Sequence, residues 1–443
     1  AEIAQRLARS APRLDPSMPA QRFRLPWTDS EVTPRPGAGY WFYTLHLATI
    51  WGLALSNALQ GLALLWAMIR WQRVRPSSET FYATGMDRLL KPFALYSAVF
   101  VVSVLTSYKV PESAWHLRGL IGLTTLPLAF LLVRGERQVR LLFDILIWVT
   151  LGLAILGIGQ YLLTDYGGLD NRIPGAFSHY MTYSGILLVG SCLVLARIVA
   201  GTANTQLRLW LILIPILVAM VLTLTRHAWL AAFMVLTIAW LLRFRRLLWV
   251  YVASVLLLLA FTASVAPEHW SRLRSIASLE DPSNYDRLCM AYAGVNMIED
   301  APLFGIGPGM VEYYYPIYRH PTSTRSHVMH LHNTLMQLGA ERGLLTVAAY
   351  LWLMVAAAIL SYRGLKRDGG LSGPRADLYM GTLLTLIAFN FAGIFEANWR
   401  DTEVQRWMLF LLAVPCCLPG IRRHETADEA SVSKGPAGGS PEI

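Results

Sequence analysis

The sequence predicts an all-α protein that crosses a membrane many times, and three observations predict it. Apolar residues make up 55% and charged residues 15% of the 443-residue chain, with a mean hydropathy of +0.43, a balance that excludes a water-soluble fold. Eleven apolar runs, some of them short, recur along the chain, and only helices satisfy their own backbone across roughly 30 Å of hydrocarbon. One long polar insertion, Ala266 to Gly343, interrupts the pattern and carries five of the ten histidines: His269, His320, His327, His330 and His332. A many-span chain with one such loop reads as a membrane-surface enzyme rather than a pore.

The runs lie near 41–69, 92–108, 116–133, 141–163, 180–200, 207–225, 228–242, 247–265, 344–362, 376–395 and 404–421. They divide the chain into a polar segment 1–40, a helical bundle 41–265, a large outer loop 266–343, C-terminal spans 344–421 and a tail 422–443. Basic residues near span ends are retained in the cytoplasm. Arg70 to Arg75, Arg134 to Arg140, Arg243 to Arg246, Arg363 to Arg375 and Arg422 to Arg423 therefore share the inner side, and the long loop faces out. Eleven spans would put residues 1–40 outside, yet that segment carries Arg6, Arg9, Arg13, Arg22, Arg24 and Arg35. An extra short or re-entrant segment near Asn57 to Gly61 would give twelve spans with both ends inside.

The net charge of +10 comes mostly from the inner flanks, so topology and anionic lipid headgroups account for it and nucleic acid is not indicated. Residues 1–40 lack the apolar core of a cleaved signal peptide. The tail is rich in Gly, Ser, Pro and acidic residues and reads as disordered. Of the four cysteines, Cys192, Cys416 and Cys417 fall in or at the end of apolar runs, so no structural disulfide is expected.

Charge at a membrane edge is costly, and its placement is informative. Arg172 lies in the outer loop Asn171-Arg172-Ile173-Pro174-Gly175-Ala176-Phe177-Ser178-His179. Arg226 interrupts an otherwise apolar stretch, and Arg287 opens an amphipathic helix running toward Asp300. Singly, Arg172 and Arg226 could reach lipid phosphates and Arg287 could pair with Asp286 or Glu280. Together they suggest an anion site, because guanidinium groups grip phosphate oxygens bidentately and would suit a diphosphate at the membrane surface. The segment Leu303-Phe304-Gly305-Ile306-Gly307-Pro308-Gly309 lacks the Lys-Ser/Thr ending of a phosphate loop and reads as a turn. His327, His330 and His332 have a spacing that could hold Zn²⁺. A neutral imidazole is equally suited to take a proton from a sugar hydroxyl. No Asp-X-Asp pair stands in an outer loop, which argues against a divalent-metal sugar-transfer mechanism.

Two patterns carry a resemblance. Arg226-x-x-x-Leu230 stands at a span edge, and His332-Asn333 is followed by nine residues and then Gly343-Leu344-Leu345-Thr346. With Arg287, the Pro302 to Gly309 run, and Arg172 ahead of Gly175-Ala176-Phe177, residues from about 90 to 420 resemble the O-antigen ligase and polymerase superfamily of bacterial inner-membrane proteins. The resemblance implies a twelve-span GT-C-type glycosyltransferase fold and transfer of a finished glycan from undecaprenyl diphosphate, on the periplasmic face, to an acceptor that in ligases is the outer-core sugar of lipid A-core. It further implies His332 as the base, His330 and Asn333 orienting the base or the sugar, and Arg172, Arg226 and Arg287 on the diphosphate. The transfer would invert the anomeric carbon, with no metal or other cofactor required. One sizeable outer loop favours a ligase over an O-antigen polymerase. A protein-glycosylating ligase differs only in acceptor, and a lipid-linked sugar flippase is the reading from another class.

Overall fold

The computed structural model describes residues 36–166, 168, 171–201, 203–265, 270, 274–275, 278 and 281–418. Most of these residues are helical, with no strand among them. The helices in chain order are α1 (Ala38–Ala48), α2 (Leu53–Ile69), α3 (Met86–Leu105), α4 (Val110–Leu132, a stack of short helical turns), α5 (Glu136–Leu163), α6 (Tyr180–Ala200) and α7 (Ala203–Leu222). They continue with α8 (Arg226–Phe244), α9 (Leu248–Val265), α10 (Pro282–Asp300), α11 (Met310–Tyr318), α12 (Thr334–Arg367), α13 (Ala376–Ala392) and α14 (Thr402–Cys417). Every apolar run of the sequence falls on helix, the first of them on two, and the chain is an all-α polytopic membrane protein. Among the described residues six helical stretches are long and apolar enough to cross a bilayer, one of them Arg226–Leu257.

That stretch is folded back on itself. The Tyr251 hydroxyl is 2.6 Å from Thr237 Oγ1, and its ring meets those of Phe233 at 6.2 Å and Trp240 at 5.4 Å. On one straight helix Tyr251 and Phe233 would be roughly 27 Å apart. The chain therefore turns at Arg245–Leu247, and α8 and α9 are two arms with the arginines at the bend.

The 41–69 run is also broken, but at Thr49–Gly52 rather than near Asn57 to Gly61, which lie inside α2. The polar residues that suggested a break have partners within the bundle. Ser56 Oγ lies 3.0 Å from His46 Nδ1, Asn57 accepts from Arg406, and Gln60 Nε2 donates to the Ile121 carbonyl at 2.7 Å. Gly39 packs on Trp66 so closely that a Cβ would come within 2.3 Å of its ring. With about 16 Å of length, α1 falls short of the hydrocarbon thickness of a bilayer, and α1 packs back against α2 across the break.

The most buried span is α6, packed against α5, α7, α8, α13 and α14. Its small residues set the approach: a Cβ on Gly190 would lie 2.3 Å from Thr150 Oγ1, and one on Gly185 would lie 2.9 Å from Val404.

Side-chain contacts separate two ends of the bundle. At one, Arg140 binds Asp377 at 2.8 Å, Arg197 binds Asp144 at 2.5 Å, Arg375 binds Asp368 at 2.5 Å, and Arg134 donates to the Val74 carbonyl at 2.7 Å. The basic clusters at 70–75, 134–140, 243–246 and 363–375 gather here. At the other end α10, α11 and the loops around them dock on the spans. The Ile306 carbonyl accepts from Tyr108 N at 3.0 Å, the Pro308 carbonyl from Ser113 Oγ at 3.0 Å, and Ile306 N donates to the Ala340 carbonyl at 2.9 Å. The glycines of 305–309 serve this close backbone approach; a Cβ on Gly307 would lie 1.9 Å from Ser107 Oγ.

Candidate functional site

Three segments build the site at this second end. The first is the start of α10. Asp281 caps it, accepting from Ser283 N at 3.0 Å and Asn284 N at 3.3 Å, with Pro282 in the first turn. Arg226, buried at the start of α8, grips that cap: it donates to Ser275 Oγ at 2.8 Å, Asp281 at 3.3 Å, Ser283 Oγ at 2.6 Å and Asn284 Oδ1 at 3.0 Å. The same helix places Arg287 one turn further on. Its Nε is buried with no hydrogen-bond partner among the described residues. Burial pushes the Arg287 guanidinium below its ordinary value; Glu396 opposes the shift and Arg226 adds to it.

The second segment runs from Arg172 into α6. Gln160 Nε2 holds the Gly175 carbonyl at 2.8 Å, and Phe177 stacks on Tyr183. His179 caps α6, accepting from Met181 N at 3.2 Å, and stacks on Tyr180. The Arg172 guanidinium lies 4.6 Å over the Tyr180 ring.

The third is the junction before α12. Asn333 is its N-cap, accepting from Met336 N at 2.9 Å, while its Nδ2 donates to the Ile394 carbonyl at 2.9 Å. Thr334 N donates to the Gly393 carbonyl at 2.7 Å, Thr334 Oγ1 to the Glu396 carbonyl at 3.0 Å, and Arg400 to the Met329 carbonyl. These bonds stitch the 393–401 loop to 329–334 and bring Glu396 against the histidines.

His332 Nδ1 lies 2.8 Å from Glu396 Oε2, His330 Nδ1 lies 3.5 Å from Oε1, and the two imidazoles are 4.1 Å apart. An ionised carboxylate can only accept, so His332 Nδ1 carries the hydrogen and Nε2 the lone pair. Burial alone would raise the Glu396 carboxyl. The His332 hydrogen bond and the neighbouring imidazoles of His332, His330 and His227 outweigh it and hold the group well below the usual carboxylate range. Burial pushes His330 down to about 4, with Glu396 opposing and His332, Arg400 and His179 adding to the drop. Burial also raises Asp401 to about 7, helped by Glu396 and Glu403 and opposed by its bond from Thr182. His332 sits at φ 49°, a left-handed conformation that costs an L-residue on the order of 1 kcal/mol or more. The surrounding stitches pay for that strain.

A cavity of about 400 Å³ opens beside the dyad, lined among others by Arg172, Arg287, His327, His330 and His332, with His179 and Tyr180. The structure thus gathers four of the six residues singled out in the sequence. Two fall elsewhere. Asn333 is a cap and tether, and Arg226 is not among the lining residues because its guanidinium is taken up by the α10 cap. The zinc spacing changes too: the groups that come within 4.8 Å of one another are His330, His332 and Glu396, with the exposed His327 outside the cluster. Glu396 was legible only as the first carboxylate after the 376–395 run. Its partner is 64 residues away in sequence.

A many-span helical protein with a histidine-carboxylate pair and arginines at one end defines a class of membrane-embedded enzyme. A family model described as O-antigen ligase matches residues 210–351, a region from α7 into α12 that contains Arg226, Arg287, His330 and His332. The match likens this part of the chain to the O-antigen ligase/polymerase superfamily and suggests an enzyme of glycosyl transfer. Comparison with curated proteins gives no match.

Proposed function

We propose that the chain is an O-antigen ligase of the bacterial inner membrane, transferring O-antigen polysaccharide from undecaprenyl diphosphate to the outer-core sugar of lipid A-core at the periplasmic face. The observation that carries the reading is the 2.8 Å His332–Glu396 contact at the wall of a cavity shared with Arg172 and Arg287. The acceptor hydroxyl gives its proton to His332 Nε2 as its oxygen bonds to the anomeric carbon. The bond from that carbon to the diphosphate oxygen breaks on the opposite face, its electron pair leaving with the diphosphate, so configuration inverts. Glu396 holds the imidazole in the right tautomer and stabilises the imidazolium as it forms. Arg172 and Arg287 stabilise the charge developing on the leaving oxygen, and the unpartnered Arg287 Nε supports that role. Arg226 acts one step back, holding α10 so that Arg287 faces the cavity.

A diphosphate is already a good leaving group, so the step needs no metal. A second reading rests on the ability of His330, His332 and Glu396 to surround a cation. Purified protein given both lipid substrates separates the two: ligation should persist in EDTA, whereas loss restored by Zn²⁺ or Mn²⁺ would select the metal. Lipopolysaccharide from cells with and without the gene tests the acceptor. The ligase reading expects bare lipid A-core, with polymer accumulating on undecaprenyl diphosphate, when the gene is lost. Shortened chains would instead indicate a polymerase, and unglycosylated protein a protein ligase. A flippase is disfavoured because Asp144, the main charge within a run, is paired with Arg197.

A further inference from the structure

At the opposite end of the bundle a second cavity, of about 280 Å³, lies between the short helices Trp71–Val74 and Ser78–Ala83 and the ends of α4 and α14. Its rim carries Arg75 and Arg134 with the hydroxyls of Ser77, Thr80 and Thr84. Its floor is apolar and buried: Met86, Phe130, Val133, Cys416 and Cys417. No carboxylate lines it, and among the described residues neither Arg75 nor Arg134 makes an ion pair. Arg134 is held over the cavity by the backbone, donating to the Arg73 and Val74 carbonyls at 3.1 and 2.7 Å. Gly135 N fixes the Cys417 carbonyl at 3.1 Å, which closes the floor. This end gathers the basic clusters, and Trp71 and Tyr82, on the two short helices, are exposed, as such side chains are where a span meets the headgroup layer.

We propose that this cavity holds the headgroup phosphate of an anionic phospholipid, with the glycerol and the first acyl carbons over the apolar floor. Two guanidinium groups without acidic partners supply the charge complement, and the Ser77–Thr80 hydroxyl pair, 2.8 Å apart, keeps one hydrogen for a phosphate oxygen, while Thr84 gives its own to the Thr80 carbonyl. A free phosphate ion would use the rim and leave the apolar floor without a partner, so the lining favours a lipid. The site is separate from the histidine cavity and does not depend on the ligase reading.

The test is thermal unfolding of the purified full chain in neutral detergent, titrated with phosphatidylglycerol, phosphatidylcholine or inorganic phosphate. Phosphatidylglycerol should raise the midpoint in a saturable way, and the other two should not. Arg75→Gln should weaken the apparent affinity about fivefold, the loss expected for one basic residue near an anionic lipid surface. Arg134→Lys, which keeps a charge if the Gln variant fails to fold, should weaken it less. Equal shifts with phosphatidylcholine, or an effect of phosphate matching that of phosphatidylglycerol, would overturn the lipid assignment. An unchanged titration in both variants would overturn the site. Phosphatidylglycerol binding that emerges only when residues 419–443 are removed would make that segment the occupant.

Discussion

A histidine whose Nδ1 is committed to a buried carboxylate has one nitrogen left for chemistry, and at His332 that nitrogen belongs to a residue lining the cavity. Glu396→Gln keeps the shape but can offer its amide hydrogens to the wrong side of the ring. The rate should fall by roughly 10²- to 10⁴-fold, with donor-lipid binding unchanged in a filter or fluorescence assay. A normal rate would reduce Glu396 to a packing residue. Arg287→Ala should cost roughly 100- to 1000-fold in transfer, and Arg287→Lys should recover only part, since an ammonium cannot grip two phosphate oxygens in a fixed fork. The sequence made His330, His332, Arg172 and Arg287 visible because polar groups at a membrane edge stand out against apolar neighbours. Glu396 stayed hidden because its significance is a contact across 64 residues of chain, and no local pattern encodes it.

Elements explain why Arg226 and Asn333 stand back from the cavity wall. Arg226 fastens the first turn of α10 to the start of α8, so Arg226→Ala removes that clasp from the Asp281 cap and loosens the helix carrying Arg287. Loss of such a pair typically costs about 3–5 kcal/mol when buried, and somewhat less here because Asp281 is partly exposed. Hydrogen exchange of the Tyr285, Asp286 and Arg287 amides at the start of α10 should therefore speed up in Arg226→Ala and stay unchanged when Arg287 is replaced by Lys; identical exchange in both would return Arg226 to direct diphosphate contact. The spacing from His332 to Gly343 also gains a physical meaning. Asn333 caps α12, and Gly343, at φ 76°, breaks it where the helix meets the Leu303 backbone. A Cβ there would lie 2.1 Å from the Leu303 carbonyl oxygen, so Gly343→Ala should displace the loop and lower activity without touching the cavity. That kink was not legible, because the stretch before Gly343 reads as polar loop while its backbone is already helical. Nor was the break at Thr49–Gly52, since the polar residues just beyond it are satisfied by His46, Ile121 and Arg406.

Across the described residues the basic clusters at 70–75, 134–140, 243–246 and 363–375 share one end and the cavity lies at the other, a separation the apolar runs and arginine placement made readable, while the Arg422–Arg423 cluster lies outside the described residues. Cysteines at the exposed Ser326 and Ser372 report the two ends. In intact cells with a permeable outer membrane, an impermeant maleimide should label the first and not the second. The reverse pattern would place the cavity in the cytoplasm, away from any finished lipid-linked glycan. The most direct measurement compares His332→Ala with His330→Ala in one reconstituted ligation assay, scoring donor binding and transfer separately. With His332 as the base, its variant should bind donor through Arg172 and Arg287 yet transfer roughly 100- to 10000-fold more slowly, while His330→Ala retains substantial transfer. An active His332 variant, whatever the His330 variant does, would contradict that assignment.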